Sequence, residues 1–154
     1  MPFKIKMFFF VALCPLVMSV NLDSAATPQF KGDCTISIKV TNIRNTKGTM
    51  QIQIYTNNTD YKNEEPFKSF RFSKKTVKDK TMKINVKGLT PGTYGVALLD
   101  DENSNKEMDY GLLLPIEGFG FSDYYHTGWS RPTFYDFDFK ISTSKSVVMK
   151  VRYL

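Results

Sequence analysis

Asp101, Asn103, Asn105 and Asp109 stand at relative positions 1, 3, 5 and 9 of one short stretch. A hard cation such as Ca²⁺ takes about six to eight oxygen ligands at short range, and alternate residues of a tight loop can turn carboxylate and amide oxygens inward. The backbone carbonyl of Glu107, at position 7, would add another oxygen. The spacing resembles the first part of an EF-hand loop and makes calcium the candidate cofactor. Two positions depart from that pattern. Lys106 stands at position 6, where glycine makes the sharp turn, and Leu112 at position 12, where a bidentate glutamate closes the shell. Glu102, Glu117 or Asp123 would have to supply the missing oxygen. The alternative is a solvated Asn/Asp loop held by bonds from side chains to backbone.

From Tyr110 to Phe139 ten of thirty residues are aromatic, and the segment does not alternate cleanly. It reads as a long loop with large apolar side chains. Such a loop must pack over the body of the protein or bind something. One outcome is a satellite core. The other is an aromatic platform for carbohydrate or another flat ligand, with Tyr124, Tyr125 and Trp129 as its candidate residues.

Catalytic constellations are scarce. His126 is the single imidazole, Cys14 and Cys34 are the only thiols, and Ser122 and Ser130 have no obvious base. A zinc cluster of several thiols or imidazoles is excluded. A Cys34–His126 dyad has no spacing argument behind it. Paired carboxylates for a hydrolase leave no signature in spacing. The expectation is a non-catalytic protein, with an uncharacterised hydrolase the least favoured reading.

Arg71, Lys74, Lys75, Lys78, Lys80, Lys83 and Lys87 form a basic run relieved only by Asp79. No aromatic interleaves from Lys74 to Lys87, and an exported chain seldom meets nucleic acid. The run reads as a solvated hairpin facing an anionic envelope surface.

The elements that must position these residues are strands. Cys34, Ile36, Ile38 and Val40 alternate with polar residues, as do Met50, Ile52 and Ile54 after the turn Asn45–Gly48. These two runs read as a hairpin. Phe70 and Phe72 mark a third strand. Met82, Ile84 and Val86 form the next set, then Tyr94, Val96 and Leu98, then Phe137, Phe139 and Ile141, and finally Val147, Met149, Val151 and Tyr153. A short helix is expected around Asp60 to Ser69, interrupted by Pro66. About seven short strands with turns between them predict an all-β protein, a single antiparallel β-sandwich. The turn Leu89-x-Pro91-Gly92-x-Tyr94 resembles that of transthyretin-like sandwiches, and an immunoglobulin-like arrangement is the related expectation.

The chain has 154 residues and a formal charge of +6. Lys4 and Lys6 precede the apolar run Met7–Val20, and Ser24-Ala25-Ala26 follows. These are the three parts of a secretory signal peptide, so residues 1–26 read as a cleaved leader and 27–154 as the β-sandwich domain. The apolar run is shorter than the roughly 20 residues of a spanning helix. No transmembrane span is expected in the mature form, which would be periplasmic or extracellular. The leader carries Lys4, Lys6 and Asp23, so its removal lowers the charge by one to +5. It also removes Cys14, leaving Cys34 without an internal disulfide partner.

From Cys34 to Leu154 the chain resembles the bacterial domain-of-unknown-function family numbered 2141, small exported β-sandwich proteins. The resemblance rests on the opening strand with its Gly48 turn and on Leu89-x-Pro91-Gly92-x-Tyr94. It continues through Asp101-Glu102-Asn103-x-Asn105-x-x-x-Asp109 and Pro115-x-Glu117-Gly118-Phe119-Gly120-Phe121-Ser122. It ends in Arg131-Pro132-x-Phe134-x-Asp136-x-x-Phe139. The family's loop looks like His-Asp-Glu-Asn-Gly-Asn-Gly. Here Asp100 replaces the histidine, and Ser104 and Lys106 replace the glycines. Asp100 adds a carboxylate that could partly compensate at an ion site. The resemblance implies the fold and export, and it assigns no activity. The partner expected is an unidentified envelope or extracellular one, with carbohydrate as the alternative.

Overall fold

The computed structural model describes residues 34–154. The expected leader, Cys14 and the cleavage point after Ala26 lie outside them. The chain forms strand β1 (Cys34–Thr41), β2 (Thr49–Tyr55), helix α1 (Asn58–Asn63), β3 (Lys68–Ser73), β4 (Met82–Leu89) and β5 (Gly92–Asp101). β6 (Gly118–Phe121), β7 (Asp138–Ile141) and β8 (Ser144–Lys150) complete it. Short 3₁₀ turns cover Lys74–Thr76 and Phe134–Asp136. The described residues are all-β, with two sheets and one short helix.

The first sheet has the order β4-β1-β8, and the second runs β3-β2-β5-β6 with β7 also on β5. Their facing sides share one buried cluster. Ile36, Ile38 and Val40 of β1 meet Ile52 of β2 and Val96 of β5 in it, all at most 1% exposed. Fully burying such a side chain contributes about 1.5–3 kcal/mol. The period-two pattern therefore sets which face of each strand turns inward.

Three expectations about pairing change. β1 and β2 do not form a hairpin, because they lie in different sheets and residues 42–48 cross between them. The sheets are not wholly antiparallel either, since β1 pairs with β8 in parallel, Thr35 opposite Ser144 through Thr41 opposite Lys150. Alternation identifies the buried face but says nothing about the neighbour. The third change is that eight strands form among the described residues. The extra one, β6, is the Gly-Phe-Gly-Phe run inside the segment read as loop.

The helix begins earlier than expected. Asn57 caps it, its side chain accepting from the Asp60 N–H at 2.9 Å. Glu64 ends it at φ 60°, before Pro66, and β3 then claims Lys68 and Ser69. Among the described residues no helix is long and apolar enough to cross a membrane.

Gly48 shows why the crossing turn needs glycine. Its φ is +69°, and a Cβ there would lie 2.0 Å from the carbonyl oxygen of Asp101. The turn is thus pressed against the base of the Asn/Asp loop.

Candidate functional site: the end of β5, its loop and the aromatic segment

β5 is buried along both faces from Tyr94 to Asp101. Tyr94, Val96 and Leu98 face the shared core, and the same alternation carries Asp100 inward opposite Met50. A buried carboxylate needs a charged or donating partner. Lys74 supplies one, its ammonium in an ion pair with Asp100, and neither side chain has any exposure. The Tyr153 hydroxyl donates to the other Asp100 oxygen. Lys74 also donates to the Asn45 side chain at 3.3 Å. Burial and the bond to Asp100 both push the Tyr153 phenol up from its ordinary value.

This corrects two expectations. Lys74 is not part of a solvated hairpin, and Asp100 does not serve the Asn/Asp loop. Both belong to a polar plug at one end of the core. Beside the plug Arg44 pairs with Glu102 and stacks over the Tyr153 ring at 4.4 Å. Burial opposes ionisation of Glu102, but Arg44 and Asn45 hold its carboxyl below the usual range.

Asp101 is also buried, on the opposite side of β5. Its carboxylate accepts from the backbone N–H of Asn105 at 3.1 Å and of Lys106 at 3.0 Å. Asn103 Oδ1 accepts from the Asn105 N–H, and Asn105 Oδ1 from the Glu107 N–H. The Asn103 amide donates to Asp109, and so does the Asn105 amide, at 2.9 Å. Buried Glu117 closes the loop by accepting from the N–H groups of Glu102 and Asp109. Burial pushes the Glu117 carboxyl up, and those N–H groups oppose the shift.

The four predicted ligands are therefore brought together in one hydrogen-bonded loop. As arranged, they offer a cation few free oxygens. Amide N–H groups face Asp109, and backbone N–H groups occupy Asp101. Oxygen coordination would require Asn103 and Asn105 to turn their amides over. Ser104 and Lys106, which stand in place of glycines, both take positive φ, 63° and 80°. The loop keeps a left-handed backbone without glycine at either place.

The aromatic segment divides. Phe121, Phe134 and Phe137 join Tyr55, Tyr61 and Ala97 in a second buried cluster, with Phe119 and Tyr124 packed against it. Phe137 thus leaves the set assigned to it, ending a 3₁₀ turn, while Phe139 and Ile141 stay in the shared core. The Phe137 ring approaches Gly95 so closely that a Cβ there would lie 2.6 Å away. Burial pushes the Tyr55 phenol up to about 12.

Of the three platform candidates, Tyr124 packs against Phe121 and His126. Tyr125 is 45% exposed and Trp129 85% exposed. The Lys150 ammonium sits 4.6 Å from the centre of the Tyr125 ring. Arg152 donates to the carbonyls of His126 and Gly128, each at 2.9 Å, and fixes the backbone that carries Trp129. Tyr110, Leu112 and Leu113 are exposed on the loop before β6.

Cys34 is in the shared core, whereas His126 lies against Phe119 and Phe121. The two are not brought together as a dyad. Ser122 donates to the Phe137 carbonyl at 2.7 Å and accepts from the Val96 N–H. It ties β5 to the aromatic segment.

Sequence reasoning missed the Lys74–Asp100–Tyr153 plug. The signal available was that Asp100 continues the inward parity of Tyr94, Val96 and Leu98. A family model described as "Uncharacterized protein conserved in bacteria (DUF2141)" matches residues 38–149. No curated protein and no solved structure matches the chain.

Proposed function

We propose, for a chain that belongs to the DUF2141 family of uncharacterized proteins conserved in bacteria, a role as an exported, non-catalytic binding module of the cell envelope. The observation that carries the reading is Trp129, 85% exposed on a loop whose backbone Arg152 pins at two carbonyls. A large ring left in water on a fixed loop is pre-organised for contact, and little ordering entropy is then lost on binding. The carboxylates support the non-catalytic part. Asp101, Glu117 and Asp123 all accept backbone N–H groups, which is structural work.

The basic, then apolar, then small-residue order of residues 1–26 supports export. A transthyretin- or immunoglobulin-like sandwich is the finer fold reading. Two sheets sharing one core support it, and the parallel β1–β8 pair is its departure.

Trp129→Ala tests the reading. The variant should keep the wild-type melting temperature and lose retention in isolated envelope fractions. Retention equal to wild type would refute it.

A second reading, a carbohydrate-binding module, is favoured by the exposure of both Tyr125 and Trp129. Calcium is required by neither reading: Asp101, Asn103, Asn105 and Asp109 share one loop that closes on its own hydrogen bonds.

A further inference from the structure

The outer face of the first sheet carries Lys39 on β1, Lys83 and Lys87 on β4, and Lys150 on β8, all exposed. The other outward positions of these strands are Ser, Thr, Asn, Gly88 and one Val. No Asp or Glu stands among them. At the margins, Asp123 gives a carboxylate oxygen to the Val148 N–H at 2.7 Å, and Asp79 lies in the turn before β4.

Lys39 and Lys83 are directly opposite each other in the antiparallel register. Like charges so placed destabilise a sheet. Lysines on an edge strand deter strand-to-strand aggregation, which accounts for Lys83 and Lys87 on β4. It does not account for Lys39, because β1 is the central strand. The pair also lines an open groove of about 550 Å³, together with Lys78, Thr76 and Thr81, in which Asp79 is the one acidic residue. Three lysines line it against one aspartate.

We propose that this face and groove bind an acidic polysaccharide, a chain of carboxylate-bearing sugars. The inference rests on the binding-module reading and names its ligand class. The lysines meet the carboxylates, and Ser37, Asn85 and Ser146 between them meet hydroxyls. Tyr125, seated over Lys150 at the β8 margin, offers a ring to a sugar face. A bilayer is the less suited anionic surface. The face itself carries a single exposed aliphatic side chain, Val148, and the most exposed ones, Leu112 and Leu113, stand on the connection between two strands of the second sheet.

The test measures binding of the purified chain to polygalacturonate, to neutral dextran and to phosphatidylglycerol vesicles, each at low and high salt. The expected result is polygalacturonate binding that weakens with salt, with none to dextran. Lys39→Glu should weaken that binding roughly tenfold. It should also raise the melting temperature, because an opposite-charge pair replaces a like one. The same melt verifies that the variant is folded. Undiminished binding by Lys39→Glu overturns the proposal, and so does binding to vesicles without binding to polygalacturonate. Absence of polygalacturonate binding alongside Trp129-dependent envelope retention overturns this inference alone. Polygalacturonate binding by Trp129→Ala, together with wild-type envelope retention of that variant, upholds it while removing the Trp129 reading.

Discussion

The Lys74 ammonium and the Asp100 carboxylate form an ion pair with both side chains fully withdrawn from solvent. Lys74 comes from the turn after β3 and Asp100 from the inward face of β5. The pair therefore joins an edge strand of the second sheet to one of its inner strands. Taking both charges out of water is costly, and the geometry with Tyr153 and Asn45 offsets that cost.

Removing one partner leaves the other charge buried alone. Lys74→Met should cost about 3–5 kcal/mol of stability. The double variant Lys74→Met/Asp100→Leu should recover much of that loss, since no uncompensated charge remains. Denaturant unfolding of the two proteins measures the difference. Equal stability of the single variant and wild type would show that the pair is not buried as described.

Tyr153 should make the protein sensitive to alkali. Its phenol is raised above the ordinary value of about 10, so the unfolded chain releases this proton first. The folded state then holds more protons, and stability falls as pH rises. The contribution is complete below pH about 10 and is lost progressively above it. Tyr55, pushed up to about 12, acts in the same direction. Tyr153→Phe should therefore lessen the alkaline loss without abolishing it. At neutral pH the variant should cost about 1–3 kcal/mol, the penalty for taking a donor from buried Asp100. A Tyr153→Phe protein with the wild-type alkaline slope would contradict this.

The Asn/Asp loop should hold itself. Asp101→Ala strips the acceptor from the Asn105 and Lys106 N–H groups, at a cost of about 1–3 kcal/mol. Wild-type melting temperatures in EDTA and in millimolar Ca²⁺ should coincide. A calcium-dependent rise that disappears in Asp101→Ala would establish the ion reading in place of the self-held one.

The residues show why some features were legible in the sequence. Alternation along β1, β2, β4, β5 and β8 marked the inward residues, because one pleated strand buries every second side chain. Pro91-Gly92 marked its turn through local backbone preferences. The Asn/Asp spacing marked a loop whose members do meet, since they are close in sequence.

Partner choice was not legible. The parallel neighbour of β1 is β8, at the far end of the described chain, and no local pattern names it. The hydrophobic alternation of β1 is satisfied equally by any neighbour. The fate of Asp100 followed the same rule. By type it reads as a loop residue, yet β5 runs two residues past its last apolar position and carries it inward. Lys74, inside a run of solvated lysines, is buried because a carboxylate waits there. Which faces are apolar was determined by sequence alone. Tertiary structure decided which strands meet and which charges they enclose, because those depend on free energies summed between distant segments.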